Sequence, residues 1–206
     1  MRRPHLVFVH GWGFRPDFWN PLRARLHGYE INVSDLGFFG PEKTDMPGGP
    51  LVAVGHSLGV PWLLRQPRSL FSALISLGGF GRFDVAPGPI RAMRRGLARD
   101  AAQVLAAFHL ACGLPPDYLP DPASARPDRL AEGLDWLLTW DERAALASLG
   151  LPVLALAAED DAVVPPPLSR AAFPSGLSML TGGGHAFPAT RPDECARRIV
   201  SFLENL

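Results

Sequence analysis

Ser57 stands at the centre of Gly55-His56-Ser57-Leu58-Gly59, directly after the apolar run Leu51-Val52-Ala53-Val54 and before a helix-compatible stretch containing Trp62, Leu63 and Leu64. A serine hydroxyl is a poor nucleophile at neutral pH until a base removes its proton, so the pattern carries chemistry only if a histidine and an orienting acid follow. Both follow: Glu159-Asp160-Asp161, then Gly182-Gly183-Gly184-His185. Gly-x-Ser-x-Gly suits a sharp strand-to-helix turn in which the flanking glycines leave room for the chain to fold back. The chemistry these residue types can perform is acyl transfer. Ser57 attacks a carbonyl, His185 moves the proton, an acid from residues 159–161 orients the imidazole, and water clears the acyl-enzyme. Singly, each piece is ordinary, since a lone histidine is usually structural and an acid pair usually a solvated loop; their joint order is the signal. No metal or cofactor is required.

Residues so far apart in the chain meet only if successive strands deliver them to one edge of a sheet. The apolar runs at 6–9, 51–54, 73–77 and 152–157 read as strands covered on both faces, and 177–180 as a further strand. Residues 30–34 alternate, as a half-exposed strand near a sheet edge does. Helical spacing covers 17–26, with Phe18, Leu22 and Leu26 on one face, and returns at 193–203. Strands alternating with helices specify a mostly parallel, doubly wound α/β sheet of about six strands. The loops beyond the carboxyl ends of such strands share one crevice, where Ser57, the acid and His185 can meet. Between Phe80 and Ser148 the rhythm turns helical, over 90–112 and 129–149, around a proline-rich stretch at 115–127. This predicts a core from residues 1–79 and 149–206 and an inserted helical lid from 80–148.

Composition bounds the rest. A chain of 206 residues suits one domain with a sizeable core. Formal charge is zero, which gives no global field for nucleic acid or an anionic membrane, and no apolar stretch nears the ~20 residues that cross a bilayer. The start, Met1-Arg2-Arg3-Pro4, runs straight into the first strand, so the expected protein is soluble, cytoplasmic and monomeric. Cys112 and Cys195 lack partners at metal or redox spacing and read as buried free thiols.

The order serine, aspartate, histidine is that of the α/β-hydrolases. Within them the chain resembles the pimeloyl-[acyl-carrier protein] methyl ester esterases of biotin synthesis, through Val9-His10-Gly11-Trp12-Gly13, Asp35-Leu36-Gly37, the Ser57 motif, Asp161-Ala162-Val163-Val164-Pro165 and Gly184-His185-Ala186. It resembles a compact form, without the opening strand pair and most of the helix before the nucleophile strand. The resemblance implies an α/β-hydrolase fold and selects Asp161 over Asp160 by the Asp-x-x-Val-Pro ending. It also implies an oxyanion hole from the backbone N–H groups of Trp12 and Leu58, donors worth ~3 kcal/mol or more each. His10 and His56 read as turn or scaffold residues.

The lid carries two further expectations. Leu105, Phe108 and His109 lie within one helical turn and are expected, with Trp12, to line an apolar channel toward Ser57. Arg91, Arg94, Arg95 and Arg99 fall at i, i+3, i+4 and i+8, a basic ridge on one side of a helix. Residues 82–99 hold five arginines against Asp84, net +4; residues 117–142 hold Arg126 and Arg129 against seven acids, net −5. Either the two arms pair with each other, or the ridge docks the acidic surface of acyl-carrier protein, as the resemblance implies. The resulting expectation is a serine carboxylesterase acting on pimeloyl-[acyl-carrier protein] methyl ester. A broad short-chain carboxylesterase or an acyl thioesterase uses the same triad, and a non-catalytic small-ligand sensor on this fold is the rival of a different class.

Overall fold

The computed structural model describes residues 3–206. Its six strands are β1 (His5–Val9), β2 (Ile31–Ser34), β3 (Leu51–His56), β4 (Phe71–Leu77), β5 (Val153–Ala158) and β6 (Leu177–Leu180). They form one sheet in the order β2-β1-β3-β4-β5-β6, every neighbouring pair parallel. The helices are α1 (Asn20–Arg23), α2 (Gly59–Leu64), α3 (Pro87–Leu97), α4 (Ala101–Cys112), α5 (Pro127–Thr139), α6 (Arg143–Ala147), α7 (Pro166–Ala172), α8 (Phe187–Thr190) and α9 (Pro192–Leu203).

The continuous apolar runs have a direct cause. Side chains alternate along a strand, and both faces of this sheet are covered. Leu6, Phe8, Val52, Val54 and Ile75 pack on one face against Trp19, Leu22, Ile199 and Leu203. Val7, Val9, Ala53 and Leu74 pack on the other against Leu58, Leu63, Ile90, Leu97 and Leu130. Each fully buried Leu, Ile, Val or Phe contributes about 1.5–3 kcal/mol through burial, so a charged residue at Val54 or Ile75 would be ruinous. β2 is an edge strand with Asn32 exposed, as its alternation foretold. Both cysteines are buried, and burial pushes their thiol pKa values upward.

Three helical readings need correction. Residues 17–26 form a 3-10 turn (Pro16–Trp19) and the short α1, with Pro16 and Pro21 starting each piece; Phe18, Leu22 and Leu26 still face the core. The stretch 90–112 is two helices. α3 ends at Leu97, Arg99 and Asp100 donate their N–H groups back to the Gly96 carbonyl, and the Asp100 carboxylate caps α4 by accepting from Gln103 N–H at 2.9 Å. The crossing is tight: a Cβ at Gly96 would lie 2.7 Å from Val104 Cγ2. Residues 129–149 are likewise split into α5 and α6, because Trp140 turns extended and Glu142 N–H donates to the Gly81 carbonyl at 2.8 Å. No helix of the described residues is long and apolar enough to cross a membrane.

Candidate active site

β3 delivers Ser57 to the carboxyl edge of the sheet with φ at 52°, the one positive φ at a non-glycine position among the described residues. A residue with a Cβ held there costs of order 1 kcal/mol or more, so its surroundings must fix it. They do: Ser57 N–H donates to the Leu77 carbonyl at 3.1 Å, and the Ser57 carbonyl accepts from Val60 N–H at 3.0 Å as α2 begins. The flanking glycines are obligatory. A Cβ at Gly59 would sit 2.2 Å from the Val9 carbonyl oxygen, and one at Gly55 would sit 2.9 Å from Val60 N. The turn therefore requires the spacing seen in the sequence.

β5 delivers the acids and β6 the histidine. Asp161 is buried; its Oδ1 accepts the N–H groups of Val163 and Val164, each at 2.8 Å, and its Oδ2 meets His185 Nδ1 at 2.8 Å. An ionised carboxylate only accepts, so the proton of a neutral His185 belongs on Nδ1. His185 Nε2 is buried without a hydrogen-bond partner among the described residues. Ser57 and this pair share one crevice, since Ser57 bonds Leu77 and a Cβ at the next residue, Gly78, would lie 3.7 Å from Asp161 Oδ2 and 3.8 Å from His185 Cε1. Asp160 is exposed, and its Oδ1 accepts from Gly184 N–H at 3.0 Å, a bond that steadies the histidine loop. That loop turns through positive φ at Gly182, Gly183 and Gly184, and a Cβ at Gly184 would press to 2.8 Å from the Cys112 carbonyl.

The other two histidines of the edge are scaffold, as their surroundings explain. His56 Nε2 donates to the His185 carbonyl at 2.9 Å, and its ring is boxed by Phe14, Phe18 and Trp19. Burial, then the neighbouring His185, holds its pKa well below the ordinary imidazole value. His10 Nδ1 lies 2.9 Å from the Gly11 carbonyl, and Leu36 N–H donates to its Nε2 at 3.1 Å, so it pins the loops after β1 and β2 together.

The loop after β1 runs over Ser57: a Cβ at Gly11 would meet Ser57 Cβ at 2.9 Å. Neither Trp12 N–H nor Leu58 N–H has an acceptor among the described residues. The Trp12 side chain donates from Nε1 to the Leu130 carbonyl at 2.7 Å and meets Phe108 edge-on, 4.7 Å between ring centres. Beyond it lies a cavity of about 750 Å³, walled by α3, α4, α5 and the acid loop, with Trp12, Ile90, Val104, Phe108, Leu137 and Val163 among its lining. Its surface is overwhelmingly apolar, with Gln103 the polar side chain at its wall.

Of the expected lining, Trp12 and Phe108 face this cavity, whereas Leu105 and His109 do not. Both are buried on the opposite stripe of α4, where Leu105 packs over Gly13 and His109 Nε2 donates to the Gly13 carbonyl at 2.7 Å. α4 is apolar on two faces, and the spacing Val104, Ala107, Phe108, Ala111 was the signal for the one that opens on the cavity. The expected four-arginine ridge also dissolves. Arg94 is held bidentate by Asp135 of α5, at 2.6 and 3.0 Å, and Arg99 lies beyond the end of α3. Arg82 reaches Asp141 through one contact at 3.3 Å, so the two arms are partly paired to each other, and Arg143 holds the same carboxylate at 2.6 Å. Arg91 and Arg95 remain exposed on α3.

Residues 32–198 match the model of the alpha/beta hydrolase family. The biotin biosynthesis bifunctional protein BioHC of Cellvibrio japonicus is 29% identical over 250 residues; the match takes in 100% of this chain but 49% of that protein, so the chain spans about half its length. The pimeloyl-[acyl-carrier protein] methyl ester esterase of Stenotrophomonas maltophilia strain R551-3 is 27% identical over 245 residues, with 100% of this chain and 95% of that one covered. Among solved structures, a thermophilic esterase from Thermogutta terrifontis superposes with a TM-score of 0.78 at 20% identity, covering 98% of this chain and 90% of that one. An esterase from Exiguobacterium antarcticum gives 0.81 at 15%, covering 98% and 93%.

Proposed function

The chain belongs to the alpha/beta hydrolase family, and from that premise we propose that it is a carboxylic ester hydrolase, that Ser57, His185 and Asp161 are its catalytic triad and that its substrate is the methyl ester of a pimeloyl chain carried on acyl-carrier protein. The observation that carries the triad is the 2.8 Å bond from His185 Nδ1 to Asp161, which leaves Nε2 with a free lone pair in the crevice of Ser57. Nε2 takes the hydroxyl proton as Ser57 Oγ attacks the ester carbon. Charge collects on the former carbonyl oxygen, where the N–H groups of Trp12 and Leu58 receive it. His185 then returns the proton to the leaving alcohol, and the acyl-enzyme remains. Water, deprotonated by the same Nε2, attacks the acyl carbon and restores Ser57. Two backbone N–H groups fix the other oxygen of Asp161, so the carboxylate keeps one orientation against His185 Nδ1.

Two features support the finer substrate. The apolar cavity beside Trp12 suits a run of methylene groups and offers them no charged partner. Arg91 and Arg95 are exposed on α3, one wall of that cavity, where they can meet an acidic carrier. Relatives named for this reaction match the chain over its whole length. The test is complementation of a biotin auxotroph lacking its methyl esterase. Growth with the natural chain and none with Ser57→Ala is the expected result; a folded chain that cleaves simple esters yet restores no growth leaves a general carboxylesterase.

A further inference from the structure

We propose that His109 is a positioning residue for the oxyanion hole, and that the last turn of α4 acts as a brace between the oxyanion loop and the histidine loop. The inference rests on the triad and oxyanion assignments above. The buried His109 ring faces a carbonyl, which only accepts, so Nε2 carries the proton it gives to Gly13 at 2.7 Å. Gly13 is the residue after Trp12, whose N–H is the oxyanion donor. Its φ is +70°, and Phe108 covers it so closely that a Cβ there would lie 2.9 Å from the ring. The imidazole therefore holds the Gly13–Phe14 peptide, two peptide planes beyond the Gly11–Trp12 peptide that carries the oxyanion N–H, and Phe108 covers Gly13 between them.

One turn further on, the same helix reaches the other half of the site. The Cys112 carbonyl accepts from Ala186 N–H at 2.9 Å, the residue after His185, and α4 ends at Gly113 against Gly184. Residues 108–113 thus hold the backbone beside the oxyanion donor and the backbone beside the base. An oxyanion donor must meet the developing charge at about 2.7–3.1 Å, so a shift at Gly13 that tilts the Gly11–Trp12 peptide lowers the rate without weakening substrate binding. α4 is on this view a fixed wall of the catalytic centre.

The test compares His109→Gln with His109→Asn, which carry the same amide one methylene apart. Gln can place an N–H near the Nε2 position and reach the Gly13 carbonyl; Asn is too short. Active sites are counted by complete reaction with a phosphonate, so that only folded enzyme enters the comparison. With a p-nitrophenyl ester, Asn is expected to lower kcat about ten- to a hundred-fold at unchanged KM, with Gln restoring most of it. Affinity for a trifluoromethyl ketone, which forms an oxyanion on Ser57, should fall in step with kcat. Equal kcat for the natural enzyme and both variants overturns the proposal, and so does an equal loss in Asn and Gln. Phosphonate on a residue other than Ser57 in the natural enzyme would instead overturn the underlying triad.

Discussion

His56 Nε2 donates to the carbonyl oxygen of His185 at 2.9 Å, so the residue before the nucleophile holds the backbone of the base, with the two rings 4.6 Å apart. Burial keeps His56 neutral, although the bond to the His185 carbonyl by itself favours the protonated ring. His109 is depressed in the same direction by its own burial.

A stability dependence on pH follows. Both groups have folded pKa values below the unfolded value of ~6.5, so the unfolded chain takes up their protons first. Their contribution is complete above about pH 6.5 and is lost as pH falls toward the folded values, at up to about 1.4 kcal/mol per pH unit for each. The carboxylates of Asp141 beside Arg143 and Glu194 beside Arg198 lie below the usual range and act only in stronger acid. Urea midpoints should drop between pH 7.5 and 5.5, and less so with both histidines changed to Gln. A midpoint that is flat or rises on acidification contradicts this.

Asp161→Asn and Asp160→Asn should differ widely. The first puts an amide against His185 Nδ1 and favours the wrong tautomer, with an expected loss of about three to four orders of magnitude in kcat. The second keeps an oxygen for Gly184 N–H, and kcat should stay within about threefold. Steady-state kinetics on one ester decides; similar losses would remove the distinction drawn between these neighbours.

Ala107→Trp projects a large ring from the exposed wall of α4 into the apolar cavity. Turnover of octanoyl esters should fall at least about tenfold relative to acetate, which needs little of the cavity. An unchanged chain-length profile would mean that the acyl chain lies elsewhere.

Reversing Arg91 and Arg95 to Glu tests the carrier. Arg94 is engaged by Asp135, whereas these two are exposed on α3 without an ion-pair partner among the described residues. kcat/KM for a carrier-bound ester should drop several-fold at low salt, less at high salt, while a small free ester is unaffected. Equal losses on both substrates would point to disturbance of the helices rather than docking.

The sheet was legible because a parallel strand buried on both faces is an unbroken apolar run, and Leu51–His56 is such a run ending in a glycine-flanked serine. Leu105 and His109 were misplaced because α4 is apolar on two stripes, and sequence spacing alone does not say which one meets the cavity. The break at 98–100 is hidden for a related reason: helical spacing continues through it, and only Gly96 and the Asp100 cap, four residues on, mark the turn. Nothing local in the sequence announces that Arg94 belongs to Asp135, a partner on another helix.

Mass spectrometry after treatment with a fluorophosphonate tests the central claim most directly. One adduct per chain is expected, on the peptide containing Ser57, forming at the same rate as ester hydrolysis disappears and absent in Ser57→Ala. An adduct on another residue, or full loss of hydrolysis with Ser57 unmodified, would contradict the assignment.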